Sequence, residues 1–250
     1  MRTVLRPDRR AFPVDPPPDL VAPQVIAAHD WSAFQALPRM ADHWDRPGWE
    51  GGRAFYWMLT FPGEAELIEE ALACQAAIQD GGFDLVPADG LHVTMPKVAD
   101  ASQMDRGKLA SLVAVAAERV PAAFDMQVGP LTGSPGALRY SVAPWEPLVE
   151  LHAALAEANA QAQAPGDGST ASFRPHLGIA YNAEPRPTAP VVGWVAALRE
   201  RPPVRVTVSR VELVELRRQC AVYRWDVIAS LPLAEAPRSK AVSADRKRPF

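Results

Sequence analysis

Two short apolar runs set the strongest constraint on this chain. Leu91-His92-Val93-Thr94-Met95-Pro96 and Pro175-His176-Leu177-Gly178-Ile179-Ala180 each carry a histidine early in an alternating stretch. In a β-strand, side chains two apart share a face. His92 and Thr94 then point one way, with Leu91, Val93 and Met95 on the other side. In the second run His176, Gly178 and Ala180 share a face, opposite Leu177, Ile179 and Tyr181. Two strands with buried apolar faces would each present one imidazole on the open face.

The surrounding pattern repeats. Ala54–Phe61 alternates as a half-buried strand and Glu64–Ile78 has helical spacing that stops at Gly81-Gly82. Phe83–Val86 and Leu91–Val98 read as strands joined by the turn Pro87-Ala88-Asp89-Gly90. A helix over Asp100–Val120 and a hairpin of Phe124–Leu131 with Ala137–Ala143 follow. The second half offers a helix from Pro147 to about Ala162 and a histidine strand over Ser172–Asn182. A helix over Pro187–Arg199 and the strands Val204–Leu216 and Ala221–Leu231 complete it. Each half thus runs histidine strand, helix, strand, strand. The last strand of each carries an arginine beside an aromatic residue, Arg139-Tyr140 and Arg224-Trp225, 47 and 48 positions after its histidine. This order predicts two similar lobes related by a pseudo-twofold. By alternation Arg139 and Arg224 fall on the side away from the core, where they can join the histidines.

Composition narrows the class. A chain of 250 residues with 48% hydrophobic and 22% charged residues suits a water-soluble globular domain with a large core. No apolar run reaches the ~18 residues of a membrane span, and the start holds no apolar segment of signal-peptide length, so the expected address is cytoplasmic. Cys74 reads as a small core residue, and neither it nor Cys220 belongs to a metal-like cluster. The net charge of −3 combines a +3 tail from residue 234 with a −6 body. An extended nucleic-acid track would leave a basic footprint, so any RNA substrate is expected to be an end or a small fragment.

Three regions follow. Residues 1–52 form an N-terminal extension. Its proline-rich arm (1–24) reads as extended or mobile. Its aromatic segment holds His29, Trp31, Phe34, His43, Trp44 and Trp49 and reads as an ordered extension packed on the domain, with a substrate lid as the alternative. Residues 53–233 form the bilobal domain, and 234–250 a basic tail expected to be disordered. His152 reads as structural.

His92-Val93-Thr94, His176-Leu177-Gly178, the Phe173-Arg174-Pro175-His176 context and the closing Glu212–Leu216 and Tyr223-Arg224-Trp225 stretches resemble the 2H phosphoesterase superfamily, with its 2′-5′ RNA ligase-like and cyclic phosphodiesterase branches. The resemblance covers roughly residues 53–233. It implies an α+β fold: two pseudo-symmetric lobes of antiparallel sheet, helices on the outer faces and a central cleft. It also implies metal-independent phosphodiesterase chemistry on a 2′,3′-cyclic phosphate or 2′-5′ linkage, with no cofactor and no DNA or membrane partner. His92 and His176 are then the catalytic pair, and Thr94, Gly178, Arg139, Arg224 and Tyr181 the candidate substrate contacts.

Two imidazoles suit this chemistry, because one can activate water while the other protonates the departing ribose oxygen near neutral pH. The family motif is His-x-Thr/Ser, which His92-Val93-Thr94 matches in full and His176-Leu177-Gly178 matches without its hydroxyl. The missing donor motivates a second reading, a non-catalytic protein that binds nucleotides or RNA ends.

Overall fold

The computed structural model describes residues 4–45, 52–166 and 168–234. In chain order the elements are helix α1 (Pro23–Ala36), strands β1 (Arg39–Met40) and β2 (Arg53–Thr60), helix α2 (Ala65–Ile78), strands β3 (Phe83–Leu85) and β4 (His92–Asp100) and helix α3 (Arg106–Ala117). They continue with strands β5 (Phe124–Ser134) and β6 (Ala137–Ala143), helix α4 (Trp145–Gln161), strands β7 (His176–Asn182) and β8 (Arg186–Pro187) and helix α5 (Thr188–Leu198). Strands β9 (Val204–Val208), β10 (Arg210–Gln219) and β11 (Val222–Pro232) end the described chain. The α+β class expected from the sequence is the one observed.

Two antiparallel sheets carry the architecture. One has the order β11-β10-β2-β4 and the other β3-β7-β6-β5-β9, while β1 and β8 form a separate two-stranded ribbon. The repeat units do not each build a sheet of their own. The first unit places its histidine strand β4 in the four-stranded sheet and its hairpin β5–β6 in the five-stranded one. The second unit places β7 in the five-stranded sheet and its hairpin β10–β11 in the four-stranded one.

One sequence expectation changes for that reason. Val204–Leu216, read as one strand, divides at Ser209: β9 pairs with β5, and β10 pairs with β2 and β11 in the other sheet. The turn after β3 joins two strands as read from the sequence, but they are not partners: β3 pairs with β7 and β4 with β2. The helix expected over Asp100–Val120 starts later, at Arg106. β4 runs on to Asp100, whose capping box with Gln103 starts a short 3₁₀ turn, and Asp105 then caps α3 by accepting from the Lys108 amide at 2.9 Å.

Apolar faces meet between sheets and helices as the periodicity requires. Leu67, Ala71, Cys74 and Ile78 of α2 are buried, as are Leu148, Leu151, Leu155 and Ala158 of α4. Trp57 is fully buried, and its indole N–H donates to Asn159 Oδ1 at 3.0 Å. Asn159 also donates to the Lys97 carbonyl at 3.1 Å, while the Gly166 amide donates to the Val98 carbonyl at 2.7 Å. Helix α4 and the loop after it thereby occupy the free edge of β4, the strand that begins with His92.

The described part of the proline-rich arm is extended up to Ala22 and packs on the domain. Arg6 N donates to Ala171 O at 2.8 Å, and Leu20 O accepts from Trp145 N at 2.7 Å at the start of α4. Its lack of helix is real, but its carbonyls find donors in the domain. Helix α1 then packs on β5 and β6. Trp49 and the tail beyond Ala234 lie outside the described residues.

Two predictions test this frame. A Cβ added at Gly166 would sit 2.2 Å from the Lys97 carbonyl oxygen, a backbone atom that cannot swing aside. Gly166→Ala is therefore expected to destabilise the fold by about 1–3 kcal/mol, read as a lower Tm in thermal melts; an unchanged Tm would contradict the seating of this loop on β4. Separately, burial pushes the His152 imidazole down to about 4; it is held by Thr170 at 2.8 Å and stacked on Phe173. The unfolded chain takes up this proton near pH ~6.5, so the stabilisation is complete above that pH and is lost as the pH falls toward 4. Urea unfolding is expected to lose about 3 kcal/mol over that window from this group, and His152→Gln should flatten that part of the profile.

Candidate functional site

His92 opens β4 directly after the turn at Pro87–Gly90 and is half-buried. It lies opposite Thr60 of β2, and Thr94 lies opposite Met58, so both motif side chains share the face of β2 that carries Thr60 and Met58. His176 opens β7 opposite Ser141, and Gly178 lies opposite Arg139. The two histidine strands also contact one another where the sheets meet.

The imidazoles are anchored in the same way. His92 Nδ1 is 2.8 Å from the Gly90 carbonyl oxygen, and His176 Nδ1 is 2.8 Å from the Arg174 carbonyl oxygen. In both cases the acceptor belongs to the residue two positions ahead. A carbonyl accepts only, so Nδ1 carries the proton in the neutral ring and Nε2 is the basic nitrogen. Desolvation lowers the His92 pKa below the ordinary histidine value, and the hydrogen bond to Gly90 opposes that only in part.

The two motif faces are joined by aromatic contacts. Tyr223 and Trp225 lie two apart on β11 and so share a face. The Trp225 ring meets His92 edge-on at 5.3 Å, and the Tyr223 ring meets Tyr181 of β7 at 5.5 Å. The N-terminal extension completes the group. His43 stacks on Tyr181 at 4.0 Å and its Nε2 lies 3.1 Å from the Tyr223 hydroxyl. Trp44 donates its indole N–H to Asp84 at 2.8 Å, while the Arg218 guanidinium lies over its ring at 4.7 Å and donates to its carbonyl at 2.9 Å. The extension therefore spans from the five-stranded sheet to the β10–β11 hairpin.

Tyr181 reaches this group through a bulge. Arg139 pairs with Gly178 and Leu138 with Ala180, which leaves Ile179 as an extra residue on β7. Strict alternation sets Tyr181 opposite His176. The bulge instead turns it to the side of Gly178, where, among the described residues, its ring alone comes within 4 Å of a Cβ built at that glycine, at 3.9 Å. The Ile179 carbonyl accepts from Val86 N at 2.9 Å and from the buried Gln75 amide at 2.8 Å. Gln75 also donates to Val86 O at 2.6 Å.

The arginines stand differently from their expected places. Arg139 is on the Gly178 side of β6 but only 2% exposed, beneath the extension. Its Nη2 donates to Phe12 O at 3.1 Å and lies 3.8 Å from the Asp30 carboxylate, which in turn accepts from Ser141 Oγ at 2.7 Å. On β11 it is Trp225, rather than Arg224, that meets His92. Arg224 forms an ion pair at 2.9 Å with Asp89 in the turn leading to His92. His92 and Thr94 thus share one face of β4, Tyr181 lies beside Gly178 on the strand that His176 opens, Arg224 stands at the turn before His92, and Arg139 is covered. His43, Trp44, Tyr223 and Trp225 join the site without having been singled out. The crowding of aromatic residues in 25–52 and the Tyr-Arg-Trp triplet were the available signals. Among the described residues no group of three or more His, Cys, Asp or Glu side chains is arranged to hold a metal ion.

A family model for the 2′-5′ RNA ligase superfamily matches residues 65–219. The chain belongs to that family, within the 2H phosphoesterases, and its class of activity is phosphoesterase-type. Among solved structures, one described as a phosphoesterase superposes with a TM-score of 0.57 at 17% identity, over 74% of this chain and 99% of that one. LigT of E. coli, solved with ATP, gives 0.55 at 17% identity over 74% and 99%. The protein TT0787 of Thermus thermophilus gives 0.54 at 19% over 73% and 98%. At these identities the likeness is one of fold. No curated protein matches the sequence.

Proposed function

We propose that the protein hydrolyses 2′,3′-cyclic phosphates or 2′-5′ linkages at RNA termini or in small nucleotides, with His92 and His176 as the acid–base pair. The observation that carries this reading is the matched anchoring of the two imidazoles. Each has Nδ1 tied to the carbonyl two residues ahead, which leaves Nε2 of each as the nitrogen for proton transfer. The E. coli LigT structures, described as complexes with ATP and with 3′-AMP, favour a nucleotide as the ligand class.

In this reading His92, kept neutral by desolvation, takes a proton from water as the water oxygen bonds to phosphorus. His176 gives a proton to the ribose oxygen as its bond to phosphorus breaks. The product is a phosphomonoester when the substrate is a cyclic phosphate, and each proton transfer contributes typically ~10²–10⁴ in rate. Thr94 on the His92 face donates to a non-bridging oxygen. The second half supplies no hydroxyl at Gly178, and loss of one such donor costs ~10²–10³. That absence supports the second reading, a nucleotide-end binder with weak or no turnover.

Single His92→Ala and His176→Ala variants are expected to lower kcat on a nucleoside 2′,3′-cyclic phosphate by at least ~10² each. Full activity in both would overturn the assignment. With His92 as base, the acid limb of kcat/KM should fall below pH ~6.5; a limb above that pH would reassign the roles. A Cβ at residue 178 would meet only the Tyr181 ring, at an ordinary 3.9 Å among the described residues, so Gly178→Thr is expected to fold normally and raise kcat by up to ~10². Calorimetry in EDTA separates the readings: nucleotide binding without product, in wild type and in Gly178→Thr alike, would favour the binder.

A further inference from the structure

Arg174 meets His176 with its backbone and the N-terminal arm with its side chain. The backbone carbonyl accepts from His176 Nδ1 at 2.8 Å. The guanidinium is buried and is wholly engaged with backbone carbonyls. Nε donates to Pro13 O at 3.0 Å, and Nη2 donates to Arg6 O and Val14 O, each at 2.8 Å. Nη1 reaches Ala171 O at 3.4 Å and Phe173 O at 3.0 Å. Three of these five acceptors belong to the arm and two to the loop ahead of β7. The Arg6 amide returns a bond to Ala171 O, and the adjacent Arg139 holds Phe12 O. From the other side, Phe173 rests on His152.

The first half-site has a different arrangement. There the residue two ahead of the histidine is Gly90, and its backbone is fixed locally, by a 2.7 Å bond from its amide to Pro87 O inside a tight turn. The turn ahead of the second histidine, Thr170–Ser172, closes earlier: its bond runs from Phe173 N to Thr170 O at 3.1 Å and leaves the Arg174 amide outside it. The acceptor carbonyl of that histidine belongs to a residue whose position depends on an arm more than 150 residues earlier in the chain. A planar guanidinium with five N–H donors suits that task, and an ammonium with three does not reproduce it.

We propose that Arg174 is a positioning residue for His176. Seating of the arm on the guanidinium fixes the Arg174 backbone, and that carbonyl fixes the tautomer and aim of the imidazole. The arm is then a working part of the second half-site. The consequence for turnover rests on the phosphodiesterase reading, but the effect on the imidazole does not.

The test uses the full chain with ¹⁵N-labelled histidine, as wild type, Arg174→Ala and Arg174→Lys. Nitrogen chemical shifts report the tautomer of each ring across a pH titration, with His92 as the internal reference. In Arg174→Ala, His176 is expected to lose its preference for the Nδ1-protonated form and to change its titration while His92 stays as in wild type. The kcat for a nucleoside 2′,3′-cyclic phosphate should fall about 10-fold or more through misaligned proton transfer, with a smaller change in KM, and Arg174→Lys should lie between. Unaltered His176 tautomer and titration in both variants would overturn the proposal. So would parallel changes at His92 and His176, which would mark general loosening. If Arg174→Ala does not fold, Arg174→Lys decides by the same comparison. A response confined to His176, with no turnover in wild type, leaves the role of Arg174 standing and removes the phosphodiesterase reading.

Discussion

Neither half of this chain can complete a sheet from its own strands. β9 and β10 follow one another across a single residue, Ser209, yet hydrogen-bond into different sheets. β3 and β4 part company in the same manner across the turn at Pro87–Gly90. Because main-chain donors and acceptors must be paired when buried, one half cannot unfold without stripping strand partners from the other. β7 lies between β3 and β6 of the first half, β4 pairs with β2 at the edge of the sheet that β10 and β11 complete, and the two histidine strands touch where the sheets meet.

Within that frame the halves have diverged in how they hold equivalent groups. Both imidazoles use the same short hydrogen bond to a carbonyl. One carbonyl is set by a local turn and the other by the extension. The residue two after each histidine differs as well: a threonine on β4 and a glycine on β7. Arg139, which could have brought positive charge to Gly178, is committed to Asp30 and Phe12 O. A buried ion pair of this kind is costly to break, because removing one partner strands the other charge. Its exchange between Asp30 and a bound phosphate would therefore oppose binding rather than assist it.

Much of this is legible in the residues alone, and the failures have physical causes. Alternation and helical spacing place most strands and helices within a few positions, because one face of each is buried. Strand partners are not legible, since β-periodicity gives the face of a strand and not its neighbour; hence Val204–Leu216 looks continuous, and nothing marks β3 and β4 as strands of different sheets. The face of Tyr181 escapes strict alternation because a bulge at Ile179 resets it, and the adjacent Gly178 is its one local mark. The arm looks mobile because proline lacks donors, whereas here its carbonyls are what matter, and their partners are Arg139 and Arg174. His92, His176, Thr94 and Gly178 stand out because their motif is local.

The bulge has a further effect through Gln75. The carboxamide of this one buried side chain holds Val86 O, on the path into His92, and Ile179 O, in the middle of the His176 strand. With Val86 N also bonded to Ile179 O, both lone pairs of the bulge carbonyl are taken. A single helix residue thus ties the chain leading to the His92 strand to the middle of the His176 strand. Mutational drift can reshape the loops and the helix surfaces without altering that tie, provided the glutamine is kept. Conversely, shortening or lengthening the side chain at position 75 would loosen both carbonyls at once without touching either histidine.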